Sequence, residues 1–412
     1  MKNIRLFVRT LMRNTKNIVS KFLNNIKKGR FYVLSSVGLL LFIFLEATYL
    51  FFPTFKIKGA HNLEKCKSLN DSSLKIQCGE EVIDNILQTN GVDDALETMA
   101  QISEMDKEFV NSCHGFAHEI GEHAYKLFKK KKDFKVSPKI TYCSYGFYHG
   151  FMETMLQDSG DYQKARDFCS FINNQLLQQG LDLAGECYHG IGHGTIDQHD
   201  PKQWTKPALA IKESMELCHK LATDDKYLVD CASGVFNGIA NFYSAGQYGL
   251  KINEQDPFWL CDLQEETVKK TCYAFMARTL FSLTGSGLSK AIDLATKTAP
   301  ANYLGTVISN LTVLNPNEDT ASWEDIVDLC RSVPQTVIKE CLRGYAIGLL
   351  QSGQPGKEYQ APISFCKSEL LTLEEKQLCF ENILIQLKNY YPKAQLEQIC
   401  QSVDNSYRHL CI

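Results

Sequence analysis

The chain has no stretch of useful length in which apolar and polar residues alternate, so half-buried β-strands are not expected. It has no GxSxG, no Walker A sequence and no GxGxxG, which removes the sequence signs of a nucleophile elbow, a phosphate-cradling loop and a dinucleotide-binding turn. No CxxCH haem-attachment motif occurs. HEIGEH comes close to the zinc-peptidase motif HExxH but sets His118 and His123 five apart, so they do not share a helix face. Asp and Glu are absent from residues 1–30, and cysteine is absent before Cys66. No Pro/Ser/Gly-rich linker divides the chain after Pro53. The best candidate for a break, Asn315–Ser322, reads as a loop between helices.

What is there begins with a basic segment. Residues 1–30 hold nine Lys or Arg, and Ile4, Leu11, Ile18, Phe22 and Ile26 predict either an amphipathic helix on an anionic membrane surface or a disordered basic tail. Residues 31–52 are apolar apart from one charge, Glu46, and are long enough to cross a hydrocarbon core. The preceding positive charge keeps the N-terminus in the cytoplasm. The apolar run is long for a cleaved signal peptide and lacks a small-x-small exit, so the expectation is an uncleaved signal-anchor. Residues 54–412 then form an extracytoplasmic domain of a single-pass protein in the cell membrane. Subtracting the nine basic and one acidic residues of 1–52 from 44 and 47 leaves 35 against 46, a net charge of −11, which excludes nucleic acid as the expected partner. Lys129–Lys132 is the exception and reads as a solvated helix end.

All sixteen cysteines lie in that domain, which fits an oxidising compartment. Cys66/Cys78, Cys218/Cys231, Cys261/Cys272, Cys330/Cys341, Cys366/Cys379 and Cys400/Cys411 each enclose ten to twelve residues, and Cys169/Cys187 is a looser version. The first cysteine ends one helical pattern and the second opens the next, as in PALAIKESMELC and CASGVFNGIANFY. This spacing predicts helical-hairpin repeats stapled by near-neighbour disulfides, each loop stabilised by roughly 3 kcal/mol in the chain-entropy model. Cys113 and Cys143 lack such a partner, and either bond each other or serve as metal-binding thiolates. The fold class is all-α, an α-solenoid or α/α toroid. Helical patterns run over Val92–Phe109, Tyr162–Leu177, Lys206–Leu217, Leu288–Thr298, Trp323–Leu329 and Leu373–Leu387.

Counting from the cysteine that opens each second helix exposes a register. Gly146/Gly150, Gly190/Gly194, Gly234/Gly238 and Gly344/Gly348 fall at plus three and plus seven, which lets another backbone approach closely. The neighbouring row, at plus two, six and ten, is Tyr145, His149, Glu153, then His189, His193, Asp197, then Ser233, Asn237, Asn241, and fades to Arg343, Ile347, Gln351. The helix from Cys113 is offset by one, with His114, His118 and Glu122. Positions four apart share a helix face. The stripe is ligand-rich only in the N-terminal half, which argues for a local centre. A lone buried histidine is more often a hydrogen-bonded core residue; two His-x3-His pairs and a His-x3-Glu in consecutive helices point to metal. His114, His118, His149, His189, His193 and Asp197 are the expected metal ligands, and Glu122 and Glu153 the expected acid–base residues. Glu119 and His123 are candidates for a supporting role.

Cys113-His114-Gly115 and the glycine-started second helices resemble the zinc-binding CHG segment of lanthionine cyclases, which are α/α toroids. The likeness covers a few residues, lacks that family's second cysteine motif, and implies the architecture only. Mixed His and carboxylate donors suit Zn, Fe or Mn better than Ca or Mg. The reading is a membrane-anchored helical-repeat protein with a metal centre suited to a hydrolase or oxidoreductase. Its competitor is a non-catalytic scaffold whose polar stripe recognises a peptide, glycan or protein.

Overall fold

Every regular element is helical in the computed structural model, which describes residues 60–130, 134–197, 201–285, 287–314 and 322–411. α1 (Ala60–Lys67) is bonded to α2 (Ser72–Thr89) through Cys66–Cys78. α3 (Val92–Met105) and α4 (Lys107–Lys130) share no bridge. Cys113 of α4 instead bonds Cys143 at the start of α5 (Tyr142–Ser159). α6 (Tyr162–Leu177) meets α7 (Ala184–Asp197) through Cys169–Cys187, and α8 (Pro207–Leu221) meets α9 (Asp225–Ser244) through Cys218–Cys231. The short α10 (Trp259–Asp262) is joined to α11 (Glu266–Met276) by Cys261–Cys272. α12 (Thr279–Thr284), α13 (Leu288–Thr298) and α14 (Ala301–Leu314) carry no cysteine. α15 (Trp323–Ser332) and α16 (Ile338–Gln351) share Cys330–Cys341. α17 (Gln360–Lys367) and α18 (Leu373–Tyr390) share Cys366–Cys379, and Cys400–Cys411 ties α19 (Lys393–Gln401) to the turn Arg408–Cys411. No described cysteine is free.

The near-neighbour pairing read from spacing therefore holds. Local chemistry starts the helices: Asp71, Asp161 and Asp224 accept from the backbone N–H three residues on, and Ser322/Asp325 and Thr372/Glu375 form reciprocal capping boxes. The pattern Val92–Phe109 is two helices rather than one. Asp106 is extended (φ −154°, ψ 138°), and its carboxylate accepts from the Glu108 N–H and pairs with Lys75 at 2.9 Å. The basic tail 1–30 and the anchor 31–52 lie outside the described residues. Among those described, no helix is long and apolar enough to cross a membrane.

The second helix of each pair packs on the second helix of the next. The succession runs α4, α5, α7, α9, α11, α14, α16, α18. The end of that series returns to its beginning. Thr141 Oγ1 donates to the Tyr390 carbonyl (3.2 Å), the Tyr145 hydroxyl to the Asn389 carbonyl (3.1 Å), and Ser144 Oγ to the Gln351 carbonyl (2.9 Å). The glycine row faces the preceding helix. A Cβ on Gly150 would stand 1.9 Å from the His118 carbonyl oxygen, and one on Gly234 the same distance from that of His189. Only hydrogen fits there, so these glycines set how closely the histidine-bearing helices approach.

One segment is strained. Cys143, Ser144 and Tyr145 all take left-handed backbone angles, with φ of 55°, 54° and 61°. Each such non-glycine residue costs roughly 1–2 kcal/mol. The Cys113–Cys143 bond, the Ser144 and Tyr145 hydrogen bonds and the packing of Tyr145 on Tyr390 (ring centroids 5.1 Å) hold them there. Regular α5 geometry thus begins at Gly146, and Tyr145 leaves the row in which its spacing placed it.

Candidate metal centre

Four consecutive second helices contribute to one cluster. His149 of α5 and His189 and His193 of α7 each offer a ring nitrogen, and these three atoms lie within 4.8 Å of one another. The rings sit 4.4 Å (His149–His193) and 5.0 Å (His149–His189, His189–His193) apart between centroids. His149 and His193 are buried, at 7% and 6% exposure.

The hydrogen bonds fix which nitrogen of each ring is bare. A carbonyl only accepts, so His114 Nδ1–H donates to the Cys143 carbonyl (2.8 Å) and its Nε2 carries the lone pair. His149 Nδ1 lies 3.2 Å from that Nε2 and must be the donor, which leaves His149 Nε2 bare. Ser233 Oγ of α9 gives its hydrogen to the Asp230 carbonyl (2.6 Å) and accepts from His189 Nδ1–H (2.5 Å), leaving His189 Nε2 bare. His193 Nδ1 faces Glu153 Oε1 at 3.6 Å, while its Nε2 is buried with no hydrogen-bond partner among the described residues. The strained turn at Cys143 therefore has a local consequence: its carbonyl is the first acceptor in the chain that orients His149.

Electrostatics keep the trio neutral. Burial drives the imidazoles of His149 and His193 well below their ordinary range, with neighbouring histidines adding to the effect. Burial and then His114 bring His189 down to about 4. His114 is lowered first by burial and held up in part by its bond to Cys143. It lies deep in the fold, yet its own surface is exposed, and it lines a cavity of about 260 Å³ with Asn111, Ser144 and Gln351. Neutral imidazoles with fixed tautomers are the protonation state that binds a transition metal.

Beside the trio stands an acid–base chain. His118 Nε2 lies 2.8 Å from Glu153 Oε2, and its Nδ1 lies 3.2 Å from Glu122 Oε1. A neutral ring can donate to one of these carboxylates and an imidazolium to both. Glu153 is 15% exposed and Glu122 40%, so the chain runs from the buried trio toward solvent.

Of the sequence-predicted ligands, His149, His189 and His193 come together. His114 touches the trio through His149, and His118 through Glu153. The Asp197 side chain lies outside the described residues. His123 pairs with Asp84 of α2 (2.6 Å) and His219 with Glu265 (2.7 Å), both away from the cluster. Cys113 and Cys143 are bonded to each other and offer no thiolate, so the disulfide alternative holds and the metal-binding-thiolate alternative does not apply. Two contributors were not singled out from sequence as site residues: Ser233, already on the polar stripe, and Arg278, whose charge lowers both His114 and His193. Arg278 stands six residues after Cys272, the register position that His149 and His193 occupy in their helices, and that count would have found it.

No family model, curated protein or solved structure matches this chain.

Proposed function

We propose that this protein is a membrane-anchored, extracytoplasmic metalloprotein whose hairpin repeats close into an α/α toroid around a three-histidine centre. The observation that carries the reading is the convergence of three neutral imidazoles, two of them buried and one half-buried, with one orphaned nitrogen, His193 Nε2. Leaving a buried polar atom unpaired costs about 1–3 kcal/mol, and a metal ion removes that cost. His149, His189 and His193 would hold one Zn, Fe or Mn ion, with ring shifts of about 1 Å to reach nitrogen distances near 2.0–2.1 Å. The Nδ1 atoms of His149, His189 and His193 face the His114 imidazole, the Ser233 hydroxyl and the Glu153 carboxylate, polar partners of the kind that orient metal-bound histidine.

Three histidine ligands leave a coordination position open, as in catalytic rather than structural zinc sites. A bound metal supplies an activated water or a Lewis acid there. Glu153 orients His193, and the His118–Glu122 pair carries protons between the buried site and solvent. Hydrolysis is the reaction class these residues suit best. The apolar run at residues 31–52 anchors the domain outside the cytoplasm, where its eight disulfides are stable.

Elemental analysis of full-length protein prepared without chelators tests this. Wild type should carry about one transition-metal ion per chain. His193→Ala should lose most of it while retaining helical circular dichroism, His409→Ala should lose none, and Glu153→Gln should lose less than His193→Ala. Metal-free wild type, or undiminished metal in His193→Ala, overturns the reading in favour of a recognition groove in which the histidines only hydrogen-bond.

A further inference from the structure

We infer that the centre takes an oxyanion-bearing ligand, a carboxylate or phosphate group, and that Arg278 is the residue that binds it. The inference rests on the metal-centre reading for its setting, but on a separate observation for its content. Arg278 follows α11 at the C-terminal end of Glu266–Met276, and its charge is felt by His114 and His193. It is half-buried, and among the described residues its guanidinium makes no ion pair or hydrogen bond. Burial alone accounts for the lowering of its pKa, so no carboxylate compensates its charge.

A half-buried guanidinium without a counter-ion is expensive to keep, because most of its hydration is lost and nothing replaces it. Elsewhere in this fold the chain does pair its cations. Lys75 meets Asp106 at 2.9 Å, Lys139 meets Glu97 at 2.9 Å, and Arg331 meets Glu375 at 2.8 Å. Arg278 has no such partner among the described residues, and it occurs in the register position that His149 and His193 occupy in their helices.

The charge count at the site points the same way. Around the trio stand two carboxylates, Glu153 and Glu122, and one guanidinium. The three imidazoles of the trio and that of His114 are all lowered by burial, which favours the neutral ring. A divalent ion raises the local charge to about +1, and an incoming anion neutralises it. Guanidinium is the side chain whose planar fork matches carboxylate and phosphate oxygens two at a time. Asn237 and Asn241, at plus six and plus ten of the intervening helix α9, continue the polar stripe between the histidines and Arg278 and supply neutral hydrogen-bonding groups in the same register.

The test is calorimetric titration of inorganic phosphate and, separately, oxalate into full-length protein, with metal content measured on the same samples. Wild type should bind at least one of the two anions, and the preferred anion assigns the group. Arg278→Gln should weaken that binding by roughly tenfold or more while metal content stays at the wild-type value and the midpoint of thermal unfolding does not fall. Arg278→Lys should restore part of it, which a purely structural arginine would not do. If wild type contains no metal, the metal reading fails, and the same titration of the metal-free chain still decides the anion site. No binding of either anion to wild type, or equal affinity in wild type and Arg278→Gln, overturns the inference.

Discussion

Gly234→Ala should break the site from the outside, without touching a ligand. The added Cβ would stand 1.9 Å from the His189 carbonyl oxygen and 2.8 Å from the His193 amide nitrogen, both backbone atoms of α7. Ordinary contact begins at 3.4 Å, so α9 and α7 must part by about 1.5 Å, the difference between 3.4 and 1.9. Two effects oppose each other. Alanine gains about 1 kcal/mol of helix propensity over glycine. Overpacking against a side chain costs about 1–3 kcal/mol, and here the obstacle is backbone, which cannot rotate away. The upper part of that range applies, for a net loss of about 2 kcal/mol. The separation also acts on Ser233, the residue before Gly234, whose Oγ accepts from His189 Nδ1–H at 2.5 Å. Metal content should therefore fall along with the midpoint of thermal unfolding. Gly115→Ala is the control: a Cβ there meets nothing within 4 Å, so propensity alone acts and the variant should be slightly stabilised. A Gly234→Ala protein as stable as wild type, with full metal, would refute the argument that this glycine row sets the helix spacing.

In metal-free protein, His189 contributes an acid-labile term. Its pKa is about 4 folded against 6.5 unfolded, so the unfolded chain binds more protons in that window and stability is lost as pH falls from 6.5 toward 4. The size is about 3 kcal/mol, read by denaturant titration of wild type and His189→Asn. Glu358 has the opposite sign: burial raises it to about 7 despite the hydrogen bond from Tyr391, so the folded state binds more protons and stability falls as pH rises from 4.5 through 7. Glu358→Gln should accordingly gain on wild type by up to about 3 kcal/mol at pH 7 or above and by little at pH 4.5; a constant difference across pH contradicts it. Peptide mapping without reduction should recover linked Cys113/Cys143 peptides, and free thiols at these two positions would remove the link between the His114 and His149 helices.

The fold was legible because its signals are local. A cysteine ending one helix and another opening the next fixes a hairpin without reference to anything distant, and an Asp or Ser cap marks a start within three residues. Legibility ended where two neighbours competed. The apolar period of Val92–Phe109 continues through Asp106, but that carboxylate caps the next helix and pairs with Lys75, thirty-one residues away, and the long-range partner breaks the helix. Cys113 and Cys143 left two readings open because no spacing rule covers a bond between two second helices. The same bond lies against the left-handed turn at Cys143–Tyr145, a conformation no propensity predicts for these residue types.

For the site, the register was more informative than the residue types. Counting plus six from each opening cysteine gives His149, His193, Asn237, Arg278 and Ile347 in turn. The count passes over Arg278 when it is guided by glycine, because the Cys272 helix carries Phe275 and Thr279 where its neighbours carry the glycine pair. That loss of glycine and the appearance of arginine have one physical origin. Phe275 and Thr279 do not allow the close backbone approach that Gly150 and Gly234 allow, which is consistent with a long side chain at plus six of that helix. The stripe thus carries short imidazoles where a Cβ would meet the neighbouring backbone and a long guanidinium where the glycines are lost. Close packing at the glycines brings the three rings together, and Arg278, one register step beyond Asn237, is where the proposed anion would bind.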